Sequence, residues 1–242
     1  MALMMGKKSA KHDMHNLLMK DVLKPVVKIP KSYSFDTKHK GIPTPMFGND
    51  VHGDCVIAGR AHQTLRFEHL EQRRTITITD QDVLNEWRKE NGNTEDGLYV
   101  LESLKLWRSE GWTIGGKNYK IKAFAQNNPS DKTEIKTTIA NDVGIGLGLA
   151  MPDSWSGEFN AGKPWSNTKM PPNPYNGHYV YVMGYDTSGV TCITWAKKQK
   201  MTWAFFQKYT DEAYGIIDAT NVKKVDEKKI EEFLKTVTPV EN

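Results

Sequence analysis

Cysteine is nearly absent from this sequence: Cys55 and Cys192 are the two among 242 residues. Two cysteines make no disulfide framework, so the expected setting is a reducing, cytoplasmic one, with a virion-borne or lysis-released protein as the other possibility. The opening Met1 to Gly6 is followed by lysines, not by an apolar stretch, and no apolar run reaches membrane-spanning length; neither a secretory signal nor a membrane span is expected. Zinc-type Cys/His spacing and glycine-rich phosphate loops are also missing, so no metal and no cofactor is expected. Charge of one sign does not dominate either, the net charge being +4. Lysine is nevertheless concentrated at the start, where residues 1 to 40 hold nine lysines against three aspartates. That arm is the one candidate contact for a polyanion, but it reads as a solvated tail, and no nucleic-acid partner is expected.

What is present is an ordinary globular composition, 38% hydrophobic and 26% charged, with seven tryptophans. The length suits one large domain with an added arm. The arm, residues 1 to 44, is rich in lysine and proline and has a possible short helix at Met14 to Leu23. Helical spacing follows from Cys55 to about Arg73, from Asp80 through Trp87, and over Gly97 to Glu110 with Gly111 closing it. Thr75 to Thr79 alternates like a short strand between the first two. Later the periods shorten. Strands are predicted at Tyr119 to Phe124, Val143 to Ala150, Gly177 to Tyr185, Val190 to Trp195 and Tyr214 to Asp218. Helices are predicted at Asp131 to Ala140, Trp203 to about Asp211 and Asp226 to Thr236. Lys197 to Lys200 reads as an exposed turn, and residues 152 to 176 as a long ordered loop shaped by Trp155, Trp165 and Tyr175. Helices first and strands later make the fold class α+β.

One stretch carries chemistry. Gly48 to His62 is a glycine-rich loop running into a helix, with Asp54 placed to cap it and Cys55 at its first turn. Unpaired N–H groups and the positive end of the helix dipole favour a thiolate there, the nucleophilic form. A cysteine between Asp54 and Val56 can also be a plain core residue. A partner base decides between the two, and His178 is the candidate: it opens an apolar strand directly after Gly177. A cysteine at a helix start and a histidine at a strand start, meeting across a cleft, form the arrangement that a thiolate–imidazolium pair needs. His62, on the cysteine helix, reads as packed core, and His52 as a loop residue able to touch a substrate.

Taken together these residues resemble the papain-like cysteine peptidases. That family has its catalytic cysteine at a helix N-terminus, a glutamine six residues earlier for the oxyanion hole, and a later histidine on a strand that runs into Gly-Tyr. Here stand Cys55, Asn49 six residues earlier, and His178 with Gly184-Tyr185 following; Thr194-Trp195 is similar to the end of the family's Asn-Ser-Trp. The resemblance spans roughly residues 45 to 218 and implies a helical half followed by an antiparallel sheet half. Asn49 is one methylene shorter than glutamine but still an amide donor. The family's orienting asparagine has no counterpart of the same type. Thr194 takes its place by count from His178, and Ile193 by alignment on Trp195. If Asp186 pairs with Val190, Thr194 lies about four residues along from His178, roughly 13 Å at strand rise. That leaves a Cys–His dyad, or a carboxylate such as Asp186 or Asp54, as alternatives.

The domains expected are therefore the arm at 1–44, a papain-like domain at 45–220 and a C-terminal helix at 221–242. The function expected is a thiol hydrolase acting on a peptide, isopeptide or related amide bond of a peptide or protein substrate, with transamidation differing only in the final acceptor. Cys55, His178 and Asn49 carry the chemistry, and His52, Trp155 and Trp195 line the cleft. The rival reading is an inactive papain-like scaffold that serves as a binding or structural component of a virus particle or larger assembly.

Overall fold

The computed structural model describes residues 3–26, 28–73 and 75–237. The N-terminal stretch contributes α1 (Met19–Val22), β1 (Tyr33–Ser34) and α2 (Phe35–Lys38). The helical half follows with α3 (Cys55–Gln72), α4 (Asp80–Asn91) and α5 (Val100–Ser109), then a hairpin of β2 (Trp112–Ile114) and β3 (Lys117–Tyr119). The sheet half comprises β4 (Ala123–Gln126), α6 (Lys132–Ala140), β5 (Ile145–Ala150), α7 (Trp155–Asn160), β6 (Gly177–Tyr185), β7 (Gly189–Thr194), β8 (Lys197–Thr202), α8 (Trp203–Tyr209) and β9 (Thr210–Ile217). A 3₁₀ turn (Val222–Lys224) and α9 (Glu227–Thr236) are the last elements among the described residues. The main sheet runs β4-β9-β5-β6-β7-β8, with β1 on the outer part of β6, and its pairings are antiparallel. This is the α+β architecture of helical half and antiparallel half.

Strand β6 shows why the halves join. All nine of its residues are buried, because both faces of the sheet are covered. Tyr179, Tyr181 and Met183 point into the core shared with α3, while Val180 and Val182 enter a second core with α6 and α8. Alternation of side chains across the strand makes this division. Helix α3 sits against β6 at Gly59, where a Cβ would stand 2.5 Å from two atoms of the Tyr179 ring. The absent side chain sets that close approach.

Helix α3 is more central than its pattern predicts. Arg60, Gln63 and Arg66 would form a solvated face, yet all three are fully buried. Arg60 is ion-paired with Glu86 and Glu90 of α4 and lies over the Trp107 ring, and Arg66 makes two hydrogen bonds to Asp36 at 2.8 and 2.9 Å. Buried charges are tolerated where they are paired in this way.

Several predicted elements shift. Thr75 to Thr79 forms no strand; Thr79 instead caps α4 through a reciprocal bond with Asp82. Lys197 to Lys200 is not a turn but the start of edge strand β8, where lysines face solvent as edge strands commonly arrange. The predicted Tyr119 to Phe124 strand divides between β3 and β4, and only Met19–Val22 of the predicted Met14 to Leu23 helix forms. The predicted closing strand, β9, lies inside the sheet between β4 and β5.

Candidate active site

Cys55 is the first residue of α3 and is 1% exposed. Asp54 occupies the N-cap position, but its side chain makes no cap bond. It turns instead to the preceding loop, where Asn49 Nδ2 donates to Asp54 Oδ1 at 2.9 Å and to the His52 carbonyl at 3.4 Å. The Asn49 amide thus has both its N–H groups engaged within the loop. Its backbone carbonyl accepts a hydrogen bond from Trp195 Nε1 at 3.1 Å, which ties the cysteine loop to the sheet half.

His178 is the second residue of β6 and is fully buried. The next residue, Tyr179, donates its backbone N–H to Cys55 Sγ at 3.4 Å, so the strand brings the histidine to the helix end that holds the thiol. His178 Nε2 lies 2.7 Å from Thr194 Oγ1. Its ring stacks on Trp195 with centroids 4.1 Å apart and planes 11° from parallel, and Trp195 stacks in turn on Trp155 at 4.8 Å. The other imidazole nitrogen, Nδ1, is buried with no hydrogen-bond partner among the described residues.

The Thr194 contact overturns the expected separation. Tyr185, not Asp186, pairs with Val190, and a bulge at Met183 removes a further residue, so that Tyr181 faces Ile193. Thr194 therefore reaches the place diagonal to His178, within side-chain reach. Directly beyond it Trp195 and Ala196 form a two-residue turn with φ of 41° and 58°, closing the Thr194–Lys197 pair. Such turns ordinarily use asparagine or glycine. The strained pair swings the Trp195 indole over the imidazole.

Asp186 is excluded as an orienting carboxylate by position. It lies just beyond the end of β6 opposite His178, where it accepts from Ser188 and Gly189 N–H groups at 2.8 and 3.1 Å and from Lys200 Nζ. The Lys200 ammonium holds its carboxyl well below the usual range. Asp54 is close in sequence but bonded to Asn49. His52 packs against Trp87 of α4 at 5.6 Å. His62 is buried beside Phe47, and Cys192 is a core thiol bonded to the Gln199 carbonyl.

The N-terminal segment crosses this site. Leu98 N–H donates to the Gly6 carbonyl and Lys8 N–H to the Leu98 carbonyl, both at 2.8 Å, while Lys7 N–H donates to the Gly177 carbonyl at 3.0 Å. Residues 6 to 8 thus make strand-like bonds to both walls, one beside α5 and one directly before His178. The approach is close: a Cβ on Gly6 would lie 1.8 Å from the Gly53 carbonyl, and one on Gly177 would lie 1.9 Å from the Lys7 carbonyl. Lys7 itself is buried, its Nζ 2.8 Å from Asp211 Oδ2, 3.3 Å from Glu212 Oε1 and 3.0 Å from the Lys8 carbonyl.

Burial governs the electrostatics. It pushes the Cys55 thiol up to about 12, against the N–H groups of Tyr179 and Gly6, which pull it down. It lowers His178 to about 3, helped by the charge of Lys7, and raises Asp54 and Glu212 each to about 7. With the segment in place both Cys55 and His178 are held neutral at physiological pH. Among the described residues no cluster of three His, Cys, Asp or Glu side chains is arranged to hold a metal ion, and no helix is long and apolar enough to cross a membrane.

Sequence reasoning missed Lys7, Asp211 and Glu212. Their signal was the bare face of β5, since a Cβ on Gly148 would meet Lys7 Cε at 2.4 Å and Glu212 Cγ at 2.5 Å.

The fold is that of the papain-like cysteine proteases. Xylellain, a cysteine protease from Xylella fastidiosa, superposes with a TM-score of 0.69 at 15% identity, over 90% of this chain and 97% of its own. The cysteine protease and lectin-like domains of Cwp84, a surface-layer-associated protein of Clostridium difficile, give a TM-score of 0.62 at 11% identity over 88% of this chain and 55% of theirs. A Carica candamarcensis cysteine protease in complex with E-64 gives 0.58 at 12% identity, over 78% and 99%. At these identities the likeness is that of a distant relative and concerns the fold. No family model and no curated protein sequence matches the chain.

Proposed function

We propose that the chain is a thiol hydrolase that cleaves a peptide or related amide bond, with Cys55 as nucleophile and His178 as its base. The observation that carries this reading is the joint placement of the two residues. Tyr179 N–H is bonded to Cys55 Sγ, while the adjacent His178 is fixed by Thr194 and Trp195 with Nδ1 left unpartnered.

In the proposed reaction Nδ1 of His178 takes the thiol proton as Sγ attacks the carbonyl carbon. The C–N bond breaks, the amine departs with that proton, and a thioester remains. Water then adds to the thioester, returning the thiol and releasing the acid. Thr194 keeps the imidazole in one orientation, the part a carboxamide or carboxylate plays in related triads. The Cys55 backbone N–H, which has no intrahelical partner at that position, supplies one oxyanion donor. Asn49 supplies a second only if its amide leaves Asp54; in the structure it braces the loop. Trp155 and Trp195 wall the cleft, while His52 is directed onto Trp87 and is a lesser candidate for substrate contact.

The test is hydrolysis of an unfolded protein substrate by the full chain, with residues 6 to 8 displaced, against the same chain carrying Cys55→Ala. Cleavage that disappears in the variant supports the reading. Equal rates in both, or none in either, leave the scaffold reading.

A further inference from the structure

The chain carries in its own cleft a ligand that reveals what the cleft selects. Residues 6 to 8 bind both walls through backbone hydrogen bonds, as an added strand does, and such bonds are indifferent to side-chain type. Selection comes from the one side chain that is swallowed. Lys7 runs past Gly148, where no side chain obstructs it, and ends between Asp211 and Glu212 with 1% of its side chain exposed. Among the described residues both carboxylate oxygens of Glu212 and Oδ1 of Asp211 are buried with no well-aligned hydrogen bond, although Glu212 Oε1 is 3.3 Å from the Lys7 ammonium and the Tyr214 side chain lies beside the Glu212 carboxyl. A lysine leaves that acceptor capacity unfilled. A guanidinium, with five donors in a planar fork, has the chemistry to use more of it.

We propose that the pocket of Gly148, Asp211 and Glu212, filled here by Lys7, makes the enzyme selective for peptides presenting lysine or arginine to it. This rests on the thiol-hydrolase reading for turnover but not for binding. An acidic or apolar side chain in that pocket leaves the buried Glu212 carboxyl, and the partly exposed Asp211 carboxyl beside it, unpaired or repelled, a cost that discriminates more strongly than lost contact area. The segment must leave before a peptide enters, since the backbone partners on both walls are the same.

The test uses the full chain with Gly6→Val, which places a side chain against the Gly53 carbonyl so that the segment cannot seat, and with Cys55→Ala, which prevents turnover. The probe is a fluorescein-labelled peptide of residues 3 to 11, compared with the same peptide bearing glutamate, or arginine, in place of Lys7. Fluorescence anisotropy is expected to show the lysine and arginine peptides binding at least tenfold tighter than the glutamate peptide. Adding Glu212→Gln is expected to shrink that ratio severalfold, and the chain with native Gly6 to bind none of the three. Lys7→Glu with Cys55→Ala gives a second way to loosen the segment while preserving the Gly6 packing, and the same order of peptides is expected. Equal binding of the three peptides, or a preference unmoved by Glu212→Gln, overturns the selectivity. Equal binding by the native-Gly6 chain overturns the occupancy. These outcomes do not depend on cleavage: an unreactive Cys55 with the peptide preference intact would count against the hydrolase reading alone.

Discussion

Thr194 Oγ1 stands 2.7 Å from His178 Nε2 because a bulge at Met183 and a short β6–β7 turn bring two residues to diagonal positions on neighbouring strands. A hydroxyl thereby takes up Nε2 of the imidazole and leaves Nδ1 without a hydrogen-bond partner among the described residues. A threonine is neutral, so it orients the ring without lending the charge that a carboxylate would.

Removing that hydroxyl while keeping the shape, by Thr194→Val, is expected to lower kcat/KM about tenfold or more, roughly 1.4 kcal/mol of transition-state stabilisation. Thr194→Ser is expected to keep most of the rate. The acid limb of the pH–rate profile is expected to move in Thr194→Val alone, which separates orientation of the imidazole from a general loss of structure.

Gly59 is the point at which α3 meets β6. A methyl group there falls 2.5 Å from the Tyr179 ring, so Gly59→Ala is expected to cost about 1–3 kcal/mol through overpacking. The urea unfolding midpoint reads this directly; an unchanged midpoint would mean that the helix can shift freely on the strand.

The strained turn after Thr194 makes the opposite prediction. Ala196 has φ of 58° and an exposed side chain, a conformation costing a non-glycine residue about 1–2 kcal/mol. Ala196→Gly is expected to stabilise the fold by about 0.5–1 kcal/mol after the entropy of glycine is counted. Thermal unfolding measures it, and a fall in the midpoint would show that the turn is not strained.

Asp54 gives a dependence on pH. Burial raises its carboxyl to about 7 from an ordinary 3.8. Between these values the folded chain keeps a proton that the unfolded chain has lost, so its contribution to stability declines as pH rises from about 4 to about 7. Asp54→Asn removes that decline and still accepts the Asn49 hydrogen bond. The variant is expected to gain on the native chain, by on the order of 1–2 kcal/mol, between pH 4 and pH 7.5. Parallel stability profiles would contradict the assignment.

Much of the fold was legible because its elements announce themselves locally. The span from Cys55 to about Arg73 has helical spacing, Thr202 caps the helix it precedes, and the apolar run from Gly177 to Tyr185 reads as a strand. Register was not legible. The bulge at Met183 is bordered by Gly184, but that glycine matches the family's Gly-Tyr pair and so does not by itself signal a bulge, and the Trp195–Ala196 turn lacks the residues that usually signal one, so an unbulged register puts Thr194 too far from His178. Burial of the charged side of α3 was hidden for a related reason, since Arg60 and Arg66 look solvated until their partners Glu90 and Asp36 are folded against them. Lys7 was the least visible. One lysine among nine in the arm differs from the rest only by where the chain places it, next to two carboxylates that lie more than 200 residues later.

The central claim is that Cys55 and His178 form a reactive pair once the cleft is open, and the rate of Cys55 alkylation by iodoacetamide against pH, read by intact mass, tests it most directly. In the native chain, where burial holds the thiol up at about 12, alkylation is expected to be slow through pH 9. In the Gly6→Val chain it is expected to become rapid near pH 6, and to lose that early inflection when His178→Ala is added. A Gly6→Val chain whose alkylation rises only around 8.5, the value of an unassisted thiol, and is indifferent to His178→Ala would contradict the account.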